Sequence, residues 1–138
     1  DNGKLARYSR SLAGCENLDR ATCFTSTNAG SVLFYSVGNT LYSYSYTTGQ
    51  TESVKVWNSD DDDEVITCLY MMGFPTAGRV LWAAVWNEKT QEGKIVEFEV
   101  SPTTGKIEDM YGPMFGGPAN SPSIFPGFGK VISMTQTI

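Results

Sequence analysis

Residues 21–57 read ATCFTS (21–26), SVLFYSV (31–37), NTLYSYSYTTG (39–49) and QTESVKVW (50–57). Residues 65–111 read VITCLYMM (65–72), GRVLWAAVW (78–86), GKIVEFEVSPTTG (93–105) and KIEDMY (106–111), and so repeat the order of the first set. Cys23 and Cys68 hold the same place in the two copies, 45 positions apart. A third copy opens with KVISMTQT at 130–137. Each copy holds four short strand-like segments. Four-strand units at a period of roughly 40–50 residues are the signature of a β-propeller, one unit forming one blade. The expected fold is therefore all-β, built of four-stranded antiparallel propeller blades. The chain supplies two blades and the first strand of a third, as a fragment of a larger propeller.

The strands follow from local chemistry. In the first copy, strand a is expected over residues 21–25, b over 32–37, c over 40–46 and d over 52–57. Strand c alternates strictly: Leu41, Ser43 and Ser45 face one side, and Tyr42, Tyr44 and Tyr46 the other. A period of two in β-favouring residues reads as a strand. Gly38-Asn39 reads as a tight hairpin turn, since both residues tolerate positive φ. In the second copy, a is expected over 65–71, b over 80–86, c over 94–100 and d over 107–110. Here Ile95, Glu97 and Glu99 oppose Val96, Phe98 and Val100. Residues 112–129 carry Pro113, Pro118, Pro122 and Pro126 among several glycines, so they read as a long d–a loop. Residues 130–135 then read as a strand a. The resulting organisation is a lead-in at 1–20, blades at 21–58 and 59–111, and a Pro/Gly-rich loop with the first closing strand at 112–138.

A twisted sheet of this kind is apolar on both faces and buries them only by stacking between neighbours. At about 25 cal/mol per Å² of apolar surface, leaving two such faces in water exceeds what a marginally stable domain tolerates. Upstream blades or identical chains are thus expected to complete the ring. The opening DNGKLARY has no initiator Met and no signal-peptide pattern, so the numbering is expected to begin inside a mature protein or a fragment of one.

Composition narrows the function classes. A formal net charge of −5 argues against sequence-independent nucleic-acid binding and against docking on anionic lipid by charge. No apolar run reaches the roughly 18 residues that span a membrane. The chain has no His, which removes Ser-His-Asp and Cys-His chemistry from within it, while catalysis by paired carboxylates remains open. PMFGGPANSP lacks the ending of a phosphate loop, and no cofactor is implied. Cys15, Cys23 and Cys68 are read as free thiols, with a Cys23–Cys68 bridge as the alternative.

Three features remain as candidate sites. Asp60 to Asp63 with Glu64 form a contiguous acidic run that lacks the alternate spacing of a Ca²⁺ loop, so it reads as a solvated d–a loop rather than a metal site. Trp82 and Trp86 are four apart and project to the same side of strand b. Core packing is the usual fate of such residues, and Trp86, next to the polar b–c loop, is the better candidate for exposure. In a propeller the d–a and b–c loops share one face. That face gathers Asp61, Asp62, Trp86, Asn87, Phe115, Phe125 and Phe128, and is the expected ligand or partner surface. Its alternative role is a cap over the propeller.

The segments VITCLYM, VLWAAVWN, GKIVEFEV and the late PGFGKVISMTQ resemble the C-terminal propeller of PKD-like family lipoproteins of Bacteroidetes, encoded beside SusC/SusD-type glycan-uptake systems. Gly127, Phe128, Gly129, Lys130, Val131 and Ile132 match the family's closing strand. Leu33, Phe34, Tyr35, Asn39, Leu41, Tyr42, Tyr44 and Tyr46 match its paired aromatic segment. The resemblance implies a non-enzymatic binding or scaffold module of a surface lipoprotein, facing the cell surface or the outer membrane. Its partners would be a glycan or neighbouring uptake proteins. The alternatives are part of a propeller hydrolase or lyase acting on polysaccharide through carboxylates, and a purely structural ring.

Overall fold

A computed structural model describes residues 17–27, 32–45, 52–72, 79–108 and 123–135. Nine strands lie among them: β1 (Cys23–Ser26), β2 (Val32–Val37), β3 (Thr40–Ser45), β4 (Val54–Asn58), β5 (Glu64–Met72), β6 (Val80–Asn87), β7 (Glu92–Val100), β8 (Ile107–Glu108) and β9 (Ser123–Phe128). A 3-10 turn, Leu18–Arg20, is the one helical element in the described residues. The class is all-β. Strands β1-β2-β3-β4 form one antiparallel sheet in chain order, and β5-β6-β7-β8 with β9 on β7 form a second.

The alternation read from strand c sets the packing. Leu41, Ser43 and Ser45 are buried, while Tyr42 and Tyr44 stay half-buried on the opposite face. Leu41 joins Val32 and Phe34 in a cluster with Leu81, Ala83, Val85, Val96, Phe98 and Val100 of the second sheet. Trp57 closes this interface edge-on against Phe98, ring centroids 5.2 Å apart. The far face of the first sheet buries Tyr35, which stacks on Tyr42 and donates its hydroxyl to Asn17 Oδ1 at 2.7 Å.

The two sheets do not meet through like faces. Strand b reads VLFYSV in one copy and VLWAAV in the other, so Val32, Phe34 and Ser36 correspond to Val80, Trp82 and Ala84. The first sheet turns Val32 and Phe34 toward its neighbour. The second answers with Leu81, Ala83 and Val85, the counterparts of Leu33, Tyr35 and Val37. Stacking is thus head to tail. The second sheet's Val32-type face instead holds a smaller cluster of Cys68, Ala84 and Ile95.

Two expectations need correction. The outer strand of the second sheet was expected at 107–110, and its described part, Ile107–Glu108, pairs opposite Glu99 and Val100, while 109–110 lie outside the described residues. The main outer strand is β9, inside the stretch read as a loop, and it pairs with Gly93 to Glu97. Pro126 is tolerated there because an outer strand needs hydrogen bonds along only one side. Gly93 permits the approach, since a Cβ at that position would run into the carbonyl oxygens of Phe128 and Gly129. The pairing of β9 with β7 matches that of β4 with β3: Phe125 lies opposite Ile95 as Trp57 lies opposite Leu41. The second correction concerns residues 130–135, expected as a strand, which pair with no strand among the described residues. They pack instead on the outer face of the second sheet, where Val131 and Met134 cover Cys68, Ala84 and Ile95. The lead-in at 1–16 and the stretch 109–122 lie outside the described residues.

Candidate functional site

One edge of the molecule is built by three connections: the β2–β3 turn, the β4–β5 loop and the β6–β7 turn. Each is short and polar because it reverses a chain whose strands are apolar. Gly38 takes φ of +60°, where glycine suffers no Cβ clash, and lets the β2–β3 turn close tightly. Its carbonyl accepts from Ile66 N at 2.8 Å, so the turn is stitched to the second sheet. Asn39 extends the stitch: its Nδ2 donates to Ser59 O at 3.1 Å and its carbonyl accepts from Ser59 N at 3.0 Å.

The acidic loop is ordered by its own side chains. Asp61 Oδ1 accepts from Asp63 N at 2.9 Å, an Asx-type turn, and Asp61 Oδ2 accepts from Asn87 Nδ2 at 3.0 Å. Asn87, buried at the end of β6, uses its Oδ1 to cap the next turn, accepting from the backbone N–H of Lys89 and of Thr90 at 2.9 Å each. Glu88 N donates to Asp63 O at 2.9 Å. Asp61 and Asn87 thus link the loops that sequence reading assigned to one face. Glu64 receives the Ser59 hydroxyl on one oxygen and Lys94 Nζ on the other, the latter at 3.0 Å.

Two open clefts lie on this edge and share Glu64 and Lys94 as their common wall. The first, about 770 Å³, is lined by Trp57, the acidic loop and Ile124 of β9. The second, about 510 Å³, is lined by Asn87, the turn residues Thr90 and Gln91, and the Pro126–Phe128 end of β9. Its lining mixes amides, carboxylates and a half-exposed aromatic ring, Phe128. Both volumes fall in the range of small-molecule sites, roughly 300–1,000 Å³. The chemistry on offer is hydrogen bonding from amides and carboxylates with a flat apolar surface beside it.

The expected site residues sort accordingly. Asp62 lines the first cleft and Phe128 the second. Phe125 lies on β9 opposite Ile95 and lines neither cleft. Trp86 is half-buried, paired with Val65 and Gly93, and lines neither cleft. Phe115 lies outside the described residues. No group of three or more metal-ligating side chains converges among the described residues. Sequence reading missed the Glu64–Lys94 pair and Ile124. Register across β5, β6 and β7 brings the first together, and β9 was not foreseen. Cys23 and Cys68 are free thiols, and Cys15 lies outside the described residues. Burial pushes both thiols up from their ordinary value. Hydrogen bonds from Ser36 and Thr22 oppose the shift at Cys23, and the nearby Cys23 thiol adds to it at Cys68. A raised thiol holds less thiolate at neutral pH, which lowers its nucleophilicity.

Neither a protein-family model nor a curated protein matches the chain. No helix among the described residues is long and apolar enough to cross a membrane. Function is therefore argued from the two clefts themselves.

Proposed function

We propose that the chain is a non-enzymatic binding module that takes a neutral, hydroxyl-rich ligand, a glycan, at the two-cleft edge. The observation that carries this reading is the mutual hydrogen bonding of the three connections. Asn39, Asp61 and Asn87 fix loops that would otherwise have to be ordered on binding, which lowers the entropy opposing association. A flat ring at Phe128 beside Thr90 and Gln91 suits a sugar, whose faces are apolar and whose rim is hydroxyl. The five acids from Asp60 to Glu64 against Lys94 make the first cleft repel anionic polysaccharide.

The head-to-tail stacking of the sheets supports a further reading, that they are consecutive blades of a β-propeller. On this reading, the sequence resemblance to PKD-like lipoproteins supports a module on the surface of a Bacteroidetes cell that captures glycan for an uptake system or docks on its proteins. Titration calorimetry against neutral and anionic oligosaccharides tests the ligand class. Neutral glycans are expected to bind, and Phe128→Ala and Thr90→Ala to abolish the heat without changing the unfolding midpoint. Binding only of anionic glycans, or binding that survives both substitutions, overturns the site. Release of reducing ends from a polysaccharide would instead favour the hydrolase reading.

A further inference from the structure

The interface between the two sheets contains a contact that recurs once more. Thr22, just before β1, donates its hydroxyl to Ile66 O at 3.3 Å. Thr67 stands 45 positions later, as Cys68 does from Cys23, and donates its hydroxyl to Val131 O at 2.6 Å. Val131 therefore stands to β5 as Ile66 stands to β1. Ile66 belongs to the inner strand of the second sheet, so residues 130–135 occupy the inner-strand position of a third.

What differs is what lies beyond. Ile66 is paired with Val85 of β6. Residues 130–135 have no ladder partner among the described residues, and Ile132 is 79% exposed. Phe125 tells the same story. Its counterpart Trp57 is capped by Phe98 of the following sheet, whereas Phe125 is 45% exposed. An unpaired backbone edge flanked by exposed apolar side chains is the recognition surface of strand addition.

We infer that residues 130–135 form the receiving edge for an antiparallel β-strand of a third sheet, whose apolar face covers Phe125 and Ile132. The incoming strand is apolar on both faces, as β2 and β6 are, because in both sheets the inner strand pairs with such a strand. A second copy of this chain does not fit, since its β2 and β6 are each already paired on both sides. The occupant is a sheet from another polypeptide stretch. This inference rests on the sheet repeat and not on the ligand reading.

The test uses the whole chain with a synthetic peptide of residues 79–87, RVLWAAVWN, extended by lysines for solubility, and a scrambled control. Hydrogen exchange read by mass spectrometry is expected to slow about tenfold or more at the 131–135 amides with the peptide and not with the control. Ser133→Pro, at an exposed position, removes an edge donor and is expected to abolish the protection while leaving the unfolding midpoint in place. Ile132→Lys serves as a second variant. Protection elsewhere, or none at saturating peptide, overturns the inference. So does protection without peptide in a sample that light scattering shows to be dimeric, which would make a second copy the occupant. None of these outcomes touches glycan binding at Phe128 and Thr90.

Discussion

Equivalent faces of the two sheets meet different surroundings. In the first sheet, Val32, Phe34, Leu41, Ser43 and Ser45 are sealed under the second, each 1% exposed or less. In the second sheet, the same positions are Val80, Trp82, Ile95, Glu97 and Glu99, covered in part by Val131 and Met134. Where a neighbour sheet is present, the face carries small hydroxyls that pack closely. On the second sheet, where Val131 and Met134 lie across part of it, the face carries carboxylates and a Trp82 indole that donates to Glu97 at 2.6 Å. One backbone pattern thus serves both a dry interface and a mixed one, and side-chain size and charge report which.

The comparison breaks most visibly at the buried interface. Phe98→Ala removes a fully buried ring that packs on Trp57, and is expected to destabilise by about 3–5 kcal/mol in urea unfolding. The counterpart positions on the outer strands sharpen it. Trp57→Ala should cost about 2 kcal/mol, whereas Phe125→Ala, on the unmatched face, should stay below about 1 kcal/mol. Equal effects would mean that the two faces are equally packed.

Next in size is Gly93→Ala. The added Cβ meets the backbone carbonyls of Phe128 and Gly129, which no rotamer change relieves. A loss of about 1–3 kcal/mol is expected, with faster amide exchange confined to β9. The first sheet has Asn39 at the start of the same hairpin strand, so the requirement is specific to β9.

Asn87→Ala follows. It removes the cap on the β6–β7 turn and strands the Asp61 carboxylate, for an expected loss of about 1–2 kcal/mol. In a double-mutant cycle with Asp61→Ala the two changes should be less than additive, because they share one hydrogen bond. Full additivity would show that the two loops are not coupled.

The sequence carried much of this architecture. The alternation of residues 40–45 and 94–100 assigned Leu41, Ser43 and Ser45, and Val96, Phe98 and Val100, to their faces, because a period of two leaves no other choice. It also brought Asp61 near Asn87, since loops at one end of consecutive meanders must gather. Two things were out of reach. Strand β9 was hidden because Pro126 and Gly127 read as loop, and an outer strand can hold both. The Glu64–Lys94 pair was hidden because it depends on the bulge between Ile66 and Cys68, which shifts the register of β5 on β6. The fate of residues 130–135 was misread: their apolar pattern suggests a strand, whereas they pack on the second sheet, with Thr67 donating to Val131 O, and form no ladder with the described residues.

The smallest effect tests the carboxylates on this face of the second sheet. Ser45, fully buried, donates to Thr103 O at 2.6 Å. Its counterpart Glu99 has a side chain only 2% exposed, bonded through Oε1 to Arg79 Nε at 3.5 Å, and its Oε2 has no hydrogen-bond partner among the described residues. Desolvation pushes the Glu99 carboxyl above its usual value, and Arg79 opposes this. The folded state therefore holds this proton more tightly than the unfolded one. The resulting stabilisation is complete below the ordinary carboxylate range and is lost as pH rises through the raised folded value. Glu99→Gln keeps the shape and removes the charge. It should flatten this part of the stability–pH curve, leaving the protein at neutral pH no less stable than the parent, as read from urea midpoints across the acid range. A variant less stable than the parent at neutral pH would mean that Arg79 needs the charged form of Glu99 more than burial penalises it. That face of the second sheet would then be held by the ion pairs of Arg79 with Glu99 and Glu108.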